Sequence, residues 1–270
     1  MDKTNENSIS LNKYISRTGL CSRRAADQLI DEGRVTINNK PTQRGNRVFA
    51  GAVVRIDGKL LQQKPEPLYI AFNKPVGLVC TTDQKEPKNI IRYINHPQRL
   101  FPIGRLDKPS QGLIFLTNDG DIVNKILRAG NQHEKEYIVR VQPAITPDFI
   151  QKMRNGVPIL GTVTQKCKVW KMDDHTFKII LVQGLNRQIR RMCEYLGYEV
   201  TRLKRTRIMN VKLGKLKVGE WRELTKREIQ QIQKMVASSS KTEEASKLKP
   251  ESKKRPRHKK KSPKQNSRKK

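Results

Sequence analysis

The sequence has few aromatic residues, few acidic residues and no long apolar run. Aromatic residues fill 5% of its 270 positions, and 57 Lys and Arg stand against 25 Asp and Glu, which gives a formal net charge of +32. No apolar run approaches the roughly 20 residues of a membrane-spanning helix, and the first residues lack the basic start and apolar stretch of a signal peptide. We therefore expect no membrane segment, and a polyanionic partner that is either a nucleic acid or an acidic membrane surface.

Cysteine is also scarce. The four cysteines, at positions 21, 80, 167 and 193, include no CxxC pair, so we expect neither a disulfide framework nor a zinc site. The sequence contains no cofactor-binding motif that we recognise. These features predict a protein of the reducing cytoplasm that works without a metal or a cofactor.

The C-terminal end is the most basic part of the chain. Residues 241–270 hold 14 Lys and Arg against 3 acids and a single large aliphatic residue, Leu248, so this part cannot bury a core. We predict a disordered basic tail over 238–270 that strengthens RNA association through counterion release. The first 240 residues still carry 43 basic against 22 acidic residues, so the folded part is expected to bind a polyanion by itself.

Residues 9–61 have the pattern of a small module of two helices and short strands. Ser10 and Ser22 are typical N-cap residues, each followed by apolar residues at helical spacing, and strands are expected over 34–37 and 53–56. The two predicted helices carry four basic side chains that could form one phosphate-binding face: Lys13, Arg17, Arg23 and Arg24. Arg23 and Arg24 oppose the dipole of their own helix, which favours RNA contact over an ordinary solvated surface.

Residues 62–67 contain two prolines and are predicted to be a linker, and residues 68–237 form a larger, strand-rich domain. Its strands alternate apolar and polar residues, so we expect an α+β fold with a mixed, largely antiparallel sheet rather than a doubly wound one. Strands are predicted over 68–72, 78–81, 113–117, 136–141, 177–182 and 209–213. Helices are predicted over 121–128, 147–155, 187–196 and 226–236, the last with a capping box of Thr225 and Glu228.

Asp107 is the strongest candidate for a reactive side chain. It lies in the run GRLDKPSQGLIFLTNDGD, between Arg105 and Pro109 and just before the apolar strand predicted over 113–117. A carboxylate presented beside a core, with a cation nearby to keep it ionised, is what a nucleophilic carboxylate requires. From GRLD alone, the commoner interpretation is a residue that only caps the Asp-Lys-Pro-Ser turn, and the rest of the chain must decide.

The segment QGLNRQIRRM predicts a helix capped by Asn186, with Ile189 on its apolar face. Because a helix turns about 100° per residue, Arg187 and Arg191 point away from that face, whereas Arg190 lies at its border. Arg190 is therefore the best candidate partner for a buried carboxylate, and the other two arginines are better placed for phosphates. The alternative is an amphipathic helix with a solvated basic face, which fits Arg190 less well than the other two.

Several motifs together carry a family resemblance. Residues 9–60, with LNKYISRTGLCSRRAADQLIDEGRVTINNK, resemble the S4 RNA-binding domain. The motifs NKPVG, GRLDKPSQGLIFLTNDGD, KEY and LNRQIRRM, in this order behind the S4-like module, resemble the RsuA-like family of ribosomal RNA pseudouridine synthases. The resemblance covers residues 9–236. It implies an enzyme, expected to be a monomer, that converts a uridine of large-subunit (23S) ribosomal RNA into pseudouridine, with transfer RNA as a further substrate.

The resemblance also implies a role for each matching residue. Asp107 matches the catalytic aspartate, and Arg105 matches the residue that helps displace the target base from the RNA helix. Tyr137 matches the tyrosine that stacks on the flipped uracil, although its own pattern is equally that of a half-buried strand residue. Ile189 matches an apolar wall of the pocket, and Arg190 matches the basic partner of the aspartate.

The chemistry of that family suits these residue types. The bond between ribose and uracil nitrogen breaks and the ring rejoins through carbon 5, after the base has been flipped out of its stack. Asp107 could attack the ribose, assist its deprotonation or add to carbon 6 of the ring, and the sequence does not choose among these routes. Two other functions are considered: a hydrolytic glycosidase, which usually uses two carboxylates, and a non-catalytic S4-type RNA-binding or ribosome-assembly protein.

Overall fold

The computed structural model describes residues 8–61, 65–127 and 132–237. Part of the predicted linker, 62–64, and the whole predicted tail, 238–270, lie outside these ranges. The described residues bury three apolar clusters, one inside the N-terminal module and one on each face of the sheet in the larger domain. None of the helices in these ranges is long and apolar enough to cross a membrane.

The N-terminal module packs two helices against short hairpins. Ser22 caps the second helix as predicted, because its Oγ accepts the Ala25 N–H at 3.1 Å. Asn38 and Asn39 take positive φ, 50° and 64°, in the tight turn between two paired strands. The elements are β1 (Ile9–Ser10), α1 (Leu11–Arg17), α2 (Arg23–Asp31), β2 (Val35–Ile37), β3 (Lys40–Pro41), β4 (Arg47–Val48), β5 (Val54–Ile56) and β6 (Lys59–Leu60).

The larger domain contains a nine-stranded sheet, a separate two-stranded hairpin and helices that cover the sheet. Its strands are β7 (Tyr69–Lys74), β8 (Phe101–Ile103), β9 (Gln111–Thr117), β10 (Lys135–Gln142), β11 (Pro158–Ile159), β12 (Thr162–Val163), β13 (Lys168–Lys171), β14 (Thr176–Leu181), β15 (Glu199–Ile208), β16 (Val211–Lys212) and β17 (Trp221–Glu223). Its helices are α3 (Ile90–Ile94), α4 (Gly120–Leu127), α5 (Pro147–Asn155), α6 (Gln188–Tyr195) and α7 (Lys226–Ala237).

The large sheet is mixed, as predicted for an α+β fold. Its strand order is β13-β14-β10-β15-β9-β7-β17, with β16 added to β15 and β8 to β9. Among the described strands, only β9 and β15 pair in parallel, and the other neighbours are antiparallel. The parallel pair lies in the middle of the sheet, so the strand that follows Asp107 runs directly beside β15.

Both faces of the sheet are covered by helices. Ile70 and Phe72 of β7 belong to an apolar cluster that includes residues of α3, α5 and α6 on one face, whereas Tyr69 and Ala71 belong to a cluster that includes residues of α4 and α7 on the other. A strand buried on both faces can be apolar at every position, and this explains the uninterrupted apolar run 113–116 in β9.

The structure confirms most predicted elements, corrects two predicted strands and adds elements that were not predicted. The helices predicted over 147–155 and 226–236 match α5 and α7 closely. The strand predicted over 78–81 is wrong: Val79 makes one isolated bridge, to Asn89, because this segment turns beneath the Asp107 loop. The strand predicted over 209–213 shrinks to β16, since Met209 turns the chain with φ of 52°. The ten-residue strand β15 was not predicted at all.

Candidate active site

Asp107 lies in a loop whose backbone is fixed on both sides of the residue. The carbonyl oxygen of Asp107 accepts the Ser110 N–H at 2.9 Å, and the Leu106 N–H donates to Sγ of the buried Cys80 at 3.4 Å. The Asp107 side chain itself is half-buried. Its carboxylate makes no hydrogen bond or ion pair with any residue that the structure describes. The backbone of Asp107 therefore forms the predicted turn, whereas its carboxylate is not used in the turn.

The NKPVG segment, residues 73–77, stabilises the Asp107 loop through hydrogen bonds. The side chain of Lys74 is fully buried, and its Nζ donates to the carbonyl oxygen of Ser110 at 2.9 Å. The Gly77 N–H donates to the carbonyl oxygen of Lys108 at 2.8 Å. Burial lowers the pKa of Lys74, and the nearby Asp107 carboxylate acts in the opposite direction. In the sequence this segment is one of the family motifs, and its contacts with the Asp107 loop were not predicted.

Arg190 holds the loop from the other side, but through the backbone and not through the Asp107 carboxylate. Its Nη2 donates to the carbonyl oxygen of Pro109 at 3.1 Å and to Oγ of Ser110 at 3.2 Å. No ion pair joins Arg190 to Asp107 within the described ranges: Nη1 donates to the carbonyl oxygen of Val200, Nη2 donates to the loop, and Nε has no hydrogen-bond partner among the described residues. Burial lowers the pKa of Arg190, whereas the Asp107 charge raises it. The predicted direct partner is thus a loop-positioning residue that interacts with Asp107 through space.

Tyr137 and Lys135 project from β10 to the same side of the sheet. Burial alternates along this strand, and both residues lie on its buried face, with 9% and 7% of their surface exposed. Nζ of Lys135 donates to the carbonyl oxygen of His133 at 3.2 Å. Burial, with a smaller contribution from Arg205, lowers the pKa of Lys135 to about 8. The site therefore contains a buried ammonium group beside the predicted stacking tyrosine.

Arg205 is a further buried cation that the sequence did not reveal. It lies opposite Tyr137 in the β10–β15 register, its guanidinium carbon is 6.0 Å from the centroid of the Tyr137 ring, and its Nε donates to the carbonyl oxygen of Leu113 at 2.6 Å. A Cβ on Gly112 would meet the Arg205 carbonyl oxygen at 2.3 Å. A glycine inside an apolar strand often marks such a close backbone approach, and Gly112 was the one local signal for this contact.

One cavity of about 660 Å³, a volume typical of small-molecule sites, is lined by Asp107, Lys135, Tyr137, Arg190 and Arg205. All five residues predicted for the active site lie on its walls: Arg105, Asp107, Tyr137, Ile189 and Arg190. Its described lining includes one acid, Asp107, and six basic residues: Arg105, Lys108, Lys135, Arg187, Arg190 and Arg205. The described residues contain no cluster of three or more His, Cys, Asp or Glu that could hold a metal ion.

The basic residues predicted to contact RNA at α6 differ in their surroundings. Arg187 is exposed and is itself the N-cap of α6, with a left-handed φ of 49°, so the cap predicted at Asn186 is wrong. Arg191 is half-buried, and its Nε donates to the carbonyl oxygen of Asn186 at 3.2 Å. Arg187 therefore faces outward at the cavity, while Arg191 stabilises the loop that precedes the helix.

The basic residues of the N-terminal module also divide into two pairs. Arg23 and Arg24 are exposed in the first turn of α2. Lys13 and Arg17 of α1 instead form ion pairs with Asp121, at the start of α4 in the larger domain. The second pair thus joins the two parts of the molecule, and its charge is partly neutralised there.

Comparison with known proteins gives consistent matches. A family model described as RNA pseudouridylate synthase matches residues 68–195, and an S4 domain model matches residues 10–54. The dual-specificity RNA pseudouridine synthase RluF of Salmonella typhi is 58% identical over 248 residues, which cover 91% of this chain and 86% of that protein. The ribosomal large subunit pseudouridine synthase B of Bacillus subtilis is 33% identical over 231 residues, covering 82% and 94%. A crystal structure of a pseudouridylate synthase superposes with a TM-score of 0.62 at 28% identity, covering 83% of this chain and 99% of that one.

Proposed function

This chain belongs to the RsuA-like family of RNA pseudouridine synthases, and we propose that it converts a uridine of large-subunit ribosomal RNA, and another of a transfer RNA, with Asp107 as the catalytic residue. The observation that carries the proposal is the fixed loop that holds Asp107, without a hydrogen bond from any described residue, in the wall of a basic cavity. One relative is named a dual-specificity enzyme and another a large-subunit enzyme, which supports the choice of substrates.

Each cavity residue has a separate proposed role in the reaction. The target base must leave its stack, at a cost of a few kcal/mol, and Arg105, an exposed residue of the cavity wall, is proposed to take the place of the base. The ring of Tyr137 offers a stacking surface and Ile189 an apolar wall. Asp107 then acts on the ribose or the ring. The bond from ribose carbon 1′ to uracil N1 breaks and a bond to carbon 5 forms. Carbon 5 loses a proton and N1 gains one, so no oxidant or reductant is needed.

We further propose that residues 9–61 dock the RNA, that residues 68–237 carry out the reaction, and that the protein acts as a monomer in the cytoplasm, where its RNA substrates are. The exposed Arg23, Arg24 and Arg187 are proposed to bind phosphates.

Replacement of Asp107 by Asn tests the proposed reaction. Asn keeps the shape of the side chain but lacks the negative charge, so tritium release from RNA labelled at uridine carbon 5 should fall by a factor on the order of 10⁴ or more, with RNA affinity unchanged. Asp148→Asn is the matched control, since Asp148 is an exposed acid on α5. The two RNA classes are assayed separately. Release that persists in Asp107→Asn would exclude Asp107 as the catalytic residue, and release from only one class would exclude dual specificity.

A further inference from the structure

Arg205 carries a buried donor that no described protein group uses. Only 4% of its surface is exposed, and its Nε is satisfied by the carbonyl oxygen of Leu113. Its Nη2 is buried and has no hydrogen-bond partner in the part of the chain that the structure describes. A buried charged donor without an acceptor is costly, so a side chain that lines a cavity in this state points to an acceptor on the molecule that enters.

The position of Arg205 limits what that acceptor can be. Arg205 and Asp107 both lie near Lys74 and Cys80, because the charge of each affects the ionisation of those two groups, and Arg205 packs near the ring of Tyr137. The phosphates of an RNA strand are expected at exposed arginines such as Arg187. The group that reaches the interior of the cavity is instead the uracil base, whose only strong acceptors on its ring edge are the carbonyl oxygens O2 and O4.

A donor at this position can stabilise negative charge that develops on the uracil during the reaction. When the bond between N1 and carbon 1′ breaks, its electron pair stays with the uracil and spreads onto O2 and O4. The charge disappears again when carbon 5 bonds to carbon 1′ and N1 is protonated. A fixed guanidinium therefore interacts more strongly with the cleaved base than with the neutral base, which is the condition for catalysis by charge stabilisation.

The backbone fixes this donor in place. Arg205 pairs with Gly112 across the parallel β9–β15 contact, and Gly112 lies in the strand that directly follows the Asp107 loop. Because Gly112 has no side chain, the two backbones approach closely, and the Nε contact with Leu113 anchors the guanidinium to the same strand. The loop that carries Asp107 and the side chain of Arg205 are therefore held by one pair of strands.

We propose that Arg205 donates a hydrogen bond from Nη2 to a carbonyl oxygen of the flipped uracil and stabilises the negative charge on the base as the bond to ribose breaks. This inference rests on the proposed function and adds to it a residue that contacts the reacting base. It is distinct from Arg190, whose guanidinium positions the loop.

Comparison of uridine with 5-fluorouridine at the target position tests the proposal. Fluorine stabilises the uracil anion by itself, so Arg205→Gln should slow single-turnover consumption of uridine on the order of 10²-fold and consumption of 5-fluorouridine clearly less. Both rates are measured by nuclease digestion and chromatography. A reduced folded fraction of the variant cancels in the ratio of the two rates. Arg202→Gln, an exposed arginine on the same strand, should leave the ratio unchanged.

The outcomes are distinguishable. Equal losses on both substrates would overturn the proposed role, and so would a loss confined to RNA affinity, which would indicate a phosphate contact. Arg205→Lys keeps the charge and should retain more activity on uridine than Arg205→Gln; equal activity of the two variants would also contradict the proposal. If the unmodified protein converts no uridine at all, the proposed function itself fails.

Discussion

Replacement of Lys135 by Met is expected to stabilise the folded protein at neutral pH. Burial lowers the pKa of Lys135 from 10.5 to about 8, and each pKa unit corresponds to about 1.4 kcal/mol. The charged side chain therefore destabilises the fold by about 3 kcal/mol. Methionine removes this penalty but gives up the hydrogen bond to the carbonyl oxygen of His133, which is worth about 1 kcal/mol. The expected net gain at pH 7 is about 2 kcal/mol.

The pH dependence of the stability difference tests whether the buried charge of Lys135 causes it. Between pH 8 and 10.5 the unfolded chain keeps the proton of Lys135 while the folded protein loses it, so the lysine penalty shrinks as pH rises through this interval. Below pH 8 both states are protonated and the penalty is constant. The advantage of Lys135→Met should therefore be full at pH 7 and nearly absent at pH 10.5. Other groups that titrate at high pH are present in both proteins and cancel in the difference.

Urea unfolding followed by circular dichroism at both pH values measures this difference. Lys212→Met is the control, because Lys212 lies exposed on β16, and it should change the free energy of unfolding little at either pH. The reasoning fails if Lys135→Met destabilises the protein at pH 7, or if its effect is the same at pH 7 and pH 10.5.

Two further predictions concern contacts between distant segments. Gly112→Ala should lower the free energy of unfolding by about 3 kcal/mol or more, since the added Cβ would lie 2.3 Å from the Arg205 carbonyl oxygen at a φ of +117°. Gly184→Ala, with no atom within 4 Å of its Cβ, should cost far less, and equal losses in urea unfolding would contradict the close approach. Asp121→Asn removes the acidic partner of Arg17 and should tighten ribosomal RNA binding and steepen its logarithmic salt dependence by about one; a slope unchanged in fluorescence anisotropy would show that this cation does not reach the RNA.

Local sequence patterns were enough to predict the helices and strands whose apolar residues recur at a regular helical or strand spacing. The helix predicted over 147–155 matches α5, which the structure shows to be capped by Thr146, and β10 follows from its strict alternation. The strand β15 was missed because Arg202, Lys204 and Arg207 make most of it look like a solvated segment. Its position in the middle of the sheet depends on pairing with β10 and β9, and such long-range pairing has no local signal.

The same limit applies to the candidate site. Motifs in the sequence named the residues with recognisable chemistry, and the structure brings Asp107, Tyr137 and Arg190 to one cavity. The contacts that hold the loop join residues far apart in the chain: Lys74 reaches Ser110 across 36 positions, and Arg190 reaches the carbonyl oxygen of Pro109 across 81. A single sequence cannot distinguish a loop-positioning arginine from one paired directly with the carboxylate, and for Arg190 the structure records hydrogen bonds to the loop together with an electrostatic interaction with Asp107.

The buried cations connect stability with the proposed chemistry. Lys and Arg are rarely buried without a partner, yet Lys135 and Arg205 both lie in the cavity wall and Asp107 is the one acid among its described residues. A positive, desolvated interior weakens the empty protein but favours a base that becomes negative during the reaction. Lys135→Met should therefore gain stability and lose activity together. A variant that gains stability and keeps full activity would show that this charge plays no part in the reaction, and would leave Arg205 alone to stabilise the base.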